Sequence, residues 1–124
     1  MVATLPPINF LKNLEKETTF DQKLFDKAQS EEKVIIISSW IKYCSSCAGQ
    51  MKILNKAKND GKLNDIKFDN IEYFSFDVAN RNIADLFNVQ YQTTLIIFKN
   101  KEEVYRSLVE TTKDLLYEAI KSSI

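Results

Sequence analysis

The chain has 124 residues, 44% of them apolar and 27% charged, with Lys plus Arg and Asp plus Glu equal at 17 each. That length suffices for one domain with its own core, and the balanced charge argues against nucleic-acid or membrane-surface binding by bulk electrostatics. Histidine is absent, which excludes Ser–His and Cys–His catalysis, and two cysteines supply only half of a structural zinc site.

Met1 to Leu14, with Pro6-Pro7 near its start, reads as an extended lead-in with a short edge strand. Thr19-Phe20-Asp21-Gln22 fits a capping box, and Phe20, Leu24, Phe25 and Ala28 then share one face of a helix ending near Ser30. Glu31-Glu32-Lys33 is a solvated turn. Val34-Ile35-Ile36-Ile37 reads as a strand buried on both faces, and Ser38 to Tyr43 as a link. A helical pattern runs from about Cys44 to Asn59, with Gly61 as its left-handed cap.

Leu63 to Asn70 is polar and irregular. Ile71 to Asp77 is rich in aromatics and reads as a strand. Asn80 caps a short helix with Ile83, Leu86 and Phe87 facing inward. Thr93 to Lys99 is a strand, Asn100-Lys101-Glu102 turns it back, and Glu103 to Leu108 pairs with it. Thr111 or Thr112 caps a last helix with Leu115, Leu116, Ala119 and Ile120 on its inner face. The order is β-α-β-α-β-α-β-β-α: an α/β chain, one domain over residues 1–124, with a mixed sheet and helices on both faces.

The two cysteines, Cys44 and Cys47, stand three apart where a strand passes into a helix. The free N–H groups and positive dipole end of a helix favour an anion, so Cys44 should form its thiolate readily. Cys47 lies about one turn on, close enough to close a disulfide onto it. A loop this small adds little fold stability, which favours thiol–disulfide chemistry over a structural bridge or an inert buried pair.

Four stretches, in order, resemble the thioredoxin family: VIIISSW before the dithiol, Cys44-Ser45-Ser46-Cys47, the strand end Phe76-Asp77-Val78, and Thr94 to Asn100. More narrowly, Gln92-Thr93-Thr94-Leu95 is similar to the motif of bacterial thioredoxin-like proteins that carry Gln-Ser/Thr-Thr-Leu in place of Ile-Pro-Thr. The resemblance spans roughly Thr19 to Ile120 and implies the thioredoxin fold and a protein-disulfide oxidoreductase serving cell redox homeostasis. Cys44 would be the nucleophile and Cys47 the resolving thiol, working through their own redox-active disulfide with no tightly bound cofactor and no metal. Its partners would be protein thiols and disulfides and a redox protein that gives or takes electrons.

The departures carry information. Ser45 and Ser46 replace the usual Gly-Pro, and either fill the turn or stabilise the Cys44 thiolate. Ser38 stands where thioredoxins have a buried Asp, so proton transfer from Cys47 needs water or another group, and exchange should be slower than in an ordinary thioredoxin, unless Ser38 simply packs in the strand and this step does not limit the rate. Thr93 falls at the cis-proline; the Gln92–Thr93 bond is expected trans, and the Thr93 hydroxyl is then placed to hydrogen-bond a cysteine sulfur unless it is an ordinary strand residue. The Gln92 backbone is where a substrate peptide would pair as an added strand. Tyr43 is expected to line the groove, Trp40 to line it or to pack beneath it, and Lys42 either to raise the local positive potential or to be simply a solvated side chain.

No apolar run approaches the ~18–20 residues of a membrane span, and no export signal is visible. The expectation is a monomer, cytoplasmic as the sequence stands and periplasmic if a leader has been removed. Two other functions stay open: a binding module that keeps the scaffold without redox activity, and two chains sharing zinc or an iron–sulfur cluster through Cys44 and Cys47.

Overall fold

A computed structural model describes residues 15–60, 62–63, 66–67, 71–108 and 112–123. The expected lead-in strand, the Gly61 cap and Thr111 lie outside them. The described elements are α1 (Gln22–Ser30), β1 (Val34–Trp40), α2 (Ser45–Asp60), β2 (Lys62–Leu63), β3 (Ile66–Lys67), β4 (Ile71–Asp77), α3 (Arg81–Leu86), β5 (Thr94–Lys99), β6 (Glu102–Leu108) and α4 (Lys113–Ser122).

Among the described residues, four strands form a mixed sheet in the order β4-β1-β5-β6. β1 pairs in parallel with β4, Val34 opposite Ile71 through Trp40 opposite Asp77. It pairs antiparallel with β5, from Ile35 opposite Phe98 to Ser38 opposite Leu95, and β6 folds back along β5. β1 is thus central, and its continuous apolar run is what burial on both faces requires. Alternation divides it between two cores. Val34 and Ile36 join Met51 and Leu54 of α2 and Leu116 and Ile120 of α4. Ile35 and Ile37 join Phe25 of α1, Ala84 of α3 and the strand aromatics on the opposite face. The second core is aromatic, with the Phe20, Phe25 and Phe87 rings packed tilted or edge-on at centroid separations of 5.2–5.5 Å.

Several local expectations are corrected. Asp21, not Thr19, caps α1, its carboxylate accepting the Leu24 N–H at 2.9 Å. The Thr19 hydroxyl instead donates to the Glu15 carbonyl, and its backbone bridges Ser75. Asp competes well here because it also complements the helix dipole. With the helix set from Asp21, Phe25 and Ala28 face the sheet and Leu24 is exposed. Leu86 and Leu115, expected inside, are likewise exposed. Asn80 and Thr112 occupy N-cap positions without side-chain cap bonds. The segment expected to be irregular after α2 contains the short antiparallel pair β2–β3. β1 continues through the supposed link to Trp40, because Ser38 and Ser39 fit a fully buried strand once their hydroxyls are bonded.

The β5–β6 hairpin closes through two residues, Asn100 and Lys101, with φ of 55° and 67°. Positive φ at both central positions is the geometry that matches strand twist. Asn tolerates it; Lys carries a Cβ that makes it cost about 1 kcal/mol or more. Replacing Lys101 with Gly is therefore expected to stabilise the protein by about 1 kcal/mol, seen as a higher urea midpoint with an unchanged slope. A midpoint that stays or falls would contradict this reading of the turn.

Candidate active site

The C-terminal end of β1 leads through Ile41 and Lys42 to Tyr43, whose φ of 64° turns the chain into α2. Cys44 is the residue before the helix. Its carbonyl accepts the Ala48 N–H at 3.1 Å, and its sulfur accepts the Cys47 N–H at 3.2 Å. These are the bonds of an N-cap residue, with sulfur in the place of the usual oxygen. Cys44 and Cys47 are joined as a disulfide with their Cα atoms 5.3 Å apart, inside the range such bonds span. Cys44 is half-buried and Cys47 has no exposed surface, so a reagent reaches the pair through Cys44.

Thr93 lies against the sulfurs. Its hydroxyl is 3.1 Å from Cys47 Sγ, 3.7 Å from Cys44 Sγ and 3.3 Å from the Ser46 hydroxyl, which is itself 3.3 Å from Cys44 Sγ. The peptide before Thr93 is trans, since the described residues contain no cis bond. Thr93 has φ of 60° and precedes β5 rather than belonging to it, so it is not an ordinary strand residue. A β-branched residue in this region is strained, by about 1–3 kcal/mol, and must be held there.

Ser39 holds it, and sequence reasoning missed this residue by assigning it to a link. The Ser39 carbonyl accepts the Thr93 N–H at 2.8 Å. The Ser39 hydroxyl donates to the Tyr91 carbonyl at 2.8 Å and accepts the Thr94 N–H at 3.0 Å. The Thr94 hydroxyl closes the turn by donating to the same Tyr91 carbonyl at 2.7 Å. The available signal was a pair of serines directly after an apolar strand, where small hydroxyls can be buried if bonded.

Ser38 is fully buried with its hydroxyl 2.6 Å from the Tyr73 hydroxyl. Burial pushes the Tyr73 phenol well above its ordinary value, and the Ser38 hydrogen bond pulls less strongly the other way. The pair is therefore neutral across the physiological range. Trp40 is half-buried and packs against the core beneath the site, its indole N–H buried without a hydrogen-bond partner. Tyr43 is 89% exposed beside the disulfide, while Lys42, Ser45 and Gln92 are exposed around it.

A recess of about 590 Å³ lies between α3, β5 and β6, lined by Leu86, Tyr91, Thr94, Arg106 and Leu108 among others. It shares the 91–94 turn but neither sulfur lines it. Arg106 pairs there with Glu103, whose hydrogen bond holds the carboxyl below its usual range, and donates to the Phe87 and Asn88 carbonyls. Among the described residues no cluster of three or more Cys, Asp or Glu is positioned to hold a metal, and no helix is long and apolar enough to cross a membrane.

The sequence profile of the thioredoxin family matches residues 4–122. No curated protein gives a match. Among solved structures, Trxlp from Edwardsiella tarda aligns with a TM-score of 0.71 at 21% identity, covering 82% of this chain and 95% of that one. Fasciola hepatica thioredoxin aligns at 0.66 and 19%, covering 82% and 88%, and a Nicotiana alata thioredoxin at 0.66 and 22%, covering 82% of each. At these identities the likeness concerns the fold.

Removing the Ser39 hydroxyl leaves the buried Thr94 N–H without its acceptor. Ser39→Ala should destabilise the protein by about 1–3 kcal/mol, measured by urea unfolding. A change below about 0.5 kcal/mol, the scale of an ordinary surface substitution, would show that the turn is held by other means.

Proposed function

Because the chain belongs to the thioredoxin family, we propose that it is a thiol–disulfide oxidoreductase that exchanges disulfides with protein substrates through Cys44 and Cys47. The observation that carries this reading is the Cys47 N–H aimed at the Cys44 sulfur at the start of α2. A hydrogen bond and a helix dipole that favour negative charge act on the thiolate more than on the thiol, which lowers the thiol pKa.

In the reductive direction the Cys44 thiolate attacks one sulfur of a substrate disulfide. The substrate S–S bond breaks, one substrate thiolate leaves and takes up a proton, and a mixed disulfide to Cys44 remains. Cys47 then loses its proton and attacks Cys44 Sγ. The mixed disulfide breaks, the second substrate thiol is released, and Cys44–Cys47 is oxidised as the substrate gains two electrons. The reverse sequence oxidises a substrate dithiol. A second dithiol protein restores the starting state, so no resident cofactor is needed. Exposed Tyr43 and the Gln92 turn line the approach of a substrate peptide to Cys44. No Asp or Glu is buried among the described residues, so exchange is slower than in a thioredoxin with a buried carboxylate at the site.

The test is reduction of a protein disulfide by dithiothreitol with catalytic amounts of this protein. Wild type should accelerate it, Cys44→Ser should abolish the acceleration, and Cys47→Ser should accumulate the mixed disulfide. In Cys47→Ser, alkylation of Cys44 should titrate at least about one unit below the ~8.5 of a free cysteine. No acceleration, together with a Cys44 that titrates at or above ~8.5, would reject the reading and leave a binding module built on the same scaffold.

A further inference from the structure

Resolution of the mixed disulfide requires Cys47, which is fully buried, to give up a proton. The interior group expected to take it is absent, and Ser38, which replaces it, is engaged with Tyr73. Besides the cysteines, the titratable side chains in residues 34–60, 71–77 and 91–94 are Lys42, Tyr43, Lys52, Lys56, Lys58, Asp60, Glu72, Tyr73, Asp77 and Tyr91. Lys42, Tyr43, Lys52, Lys56 and Tyr91 are exposed, Lys58 pairs with Glu72 at 3.3 Å, Asp60 ends α2 at the far end from Cys47, Tyr73 is bonded to Ser38, and the Asp77 carboxylate accepts the Ala79 N–H at 2.9 Å.

What the structure does place on Cys47 is a chain of hydroxyls. It runs from Cys47 Sγ to Thr93 Oγ1 (3.1 Å), on to Ser46 Oγ (3.3 Å), and then to Cys44 Sγ (3.3 Å). Thr93 is buried and Ser46 half-buried, so the chain leads from the interior to the surface beside the reacting sulfur. A hydroxyl has one proton to give and two lone pairs to receive with, so it can accept on one side as it donates on the other. The strained backbone at Thr93 has a use here: the φ of 60° sets its hydroxyl against both sulfurs.

We infer that Thr93 and Ser46 form a proton relay that deprotonates Cys47 during resolution, in place of a buried carboxylate. The inference rests on the oxidoreductase reading above. As Cys47 Sγ attacks Cys44 Sγ, its proton passes to Thr93 Oγ1. The Thr93 proton passes to Ser46 Oγ, and the Ser46 proton leaves to the departing substrate thiolate or to water. Each hydroxyl ends with one proton, and the net transfer is from Cys47 to the leaving group or the solvent.

The test uses an aromatic disulfide reagent whose thiolate is coloured. Reduced protein releases one equivalent when Cys44 attacks and a second when Cys47 resolves, so the two steps appear as separate phases. Thr93→Val should slow the second phase on the order of 10²-fold at pH 7, far more than the first. Thr93→Ser, which keeps the hydroxyl, should recover most of the rate. The deficit should shrink as pH rises past the Cys47 thiol's own pKa, where the thiolate forms without help. Should Thr93→Val fold poorly, Ser46→Ala breaks the relay at its other link and should show the same pH signature; the double variant should be no slower than the slower single one.

A second phase unchanged at pH 7, slowed equally at every pH, or as slow in Thr93→Ser as in Thr93→Val would overturn the relay while leaving the oxidoreductase reading intact. A wild-type protein that releases no coloured thiolate would overturn that reading, and the relay with it.

Discussion

Three hydrogen bonds from Ser39, at the end of the central strand, determine what surrounds the sulfurs. They fix the turn from Tyr91 to Thr94, and through it the Thr93 hydroxyl. The strand is rigid because both its faces are buried and both its edges are paired. One end of β1 therefore positions both halves of the site. Its covalent continuation leads to Cys44, and its hydrogen bonds hold Thr93 over the pair. Placement of a site beyond the carboxyl ends of strands follows a general pattern of open α/β sheets.

This arrangement brings groups of opposite tendency together. Cys44 sits at a helix start, where backbone N–H groups favour a thiolate. Cys47 sits in the interior, where burial disfavours one. The pair is thus asymmetric before any substrate arrives, and this asymmetry supports the proposal that Cys44 attacks and Cys47 resolves. The polar side chain against the Cys47 sulfur is the uncharged Thr93 hydroxyl, and the buried end of β1 carries Ser38, bonded to Tyr73, and Ser39. Burying an isolated carboxylate beneath the site would carry a large desolvation cost. A serine–tyrosine pair avoids that cost but supplies no base in the physiological range, which is the setting of the proposed hydroxyl relay.

Much of this was legible in the sequence. The run Val34 to Ile37, the aromatic strand Ile71 to Asp77 and the hairpin from Thr94 to Leu108 each carry a periodicity or turn signal set by local physics. The cysteine spacing and its place before a helical pattern are equally local. What could not be read depends on contacts distant in sequence. Ser38 and Ser39 look like a polar link until Tyr73 and the Tyr91–Thr94 turn supply their partners. Thr93 looks like the first residue of a strand, because nothing nearby reveals the positive φ that Ser39 imposes. Leu24, Leu86 and Leu115 fall on plausible apolar faces, yet small changes in where a helix begins or how it docks turn them to the surface. Asp21 displaced Thr19 as a cap because two adequate caps stood two residues apart, and tertiary pairing of Thr19 with Ser75 decided between them.

The central claim is that Cys44 and Cys47 form a reversible redox couple rather than a fixed bridge. The most direct measurement is equilibration of the protein with graded mixtures of reduced and oxidised glutathione, followed by trapping of free thiols. A reversible couple gives a single two-electron transition between the dithiol and the disulfide, lying between the roughly −270 mV of a reducing dithiol protein and the roughly −120 mV of a strong oxidant. A pair that stays oxidised below about −300 mV, as structural disulfides do, or thiols that never pair at any poise, would contradict it.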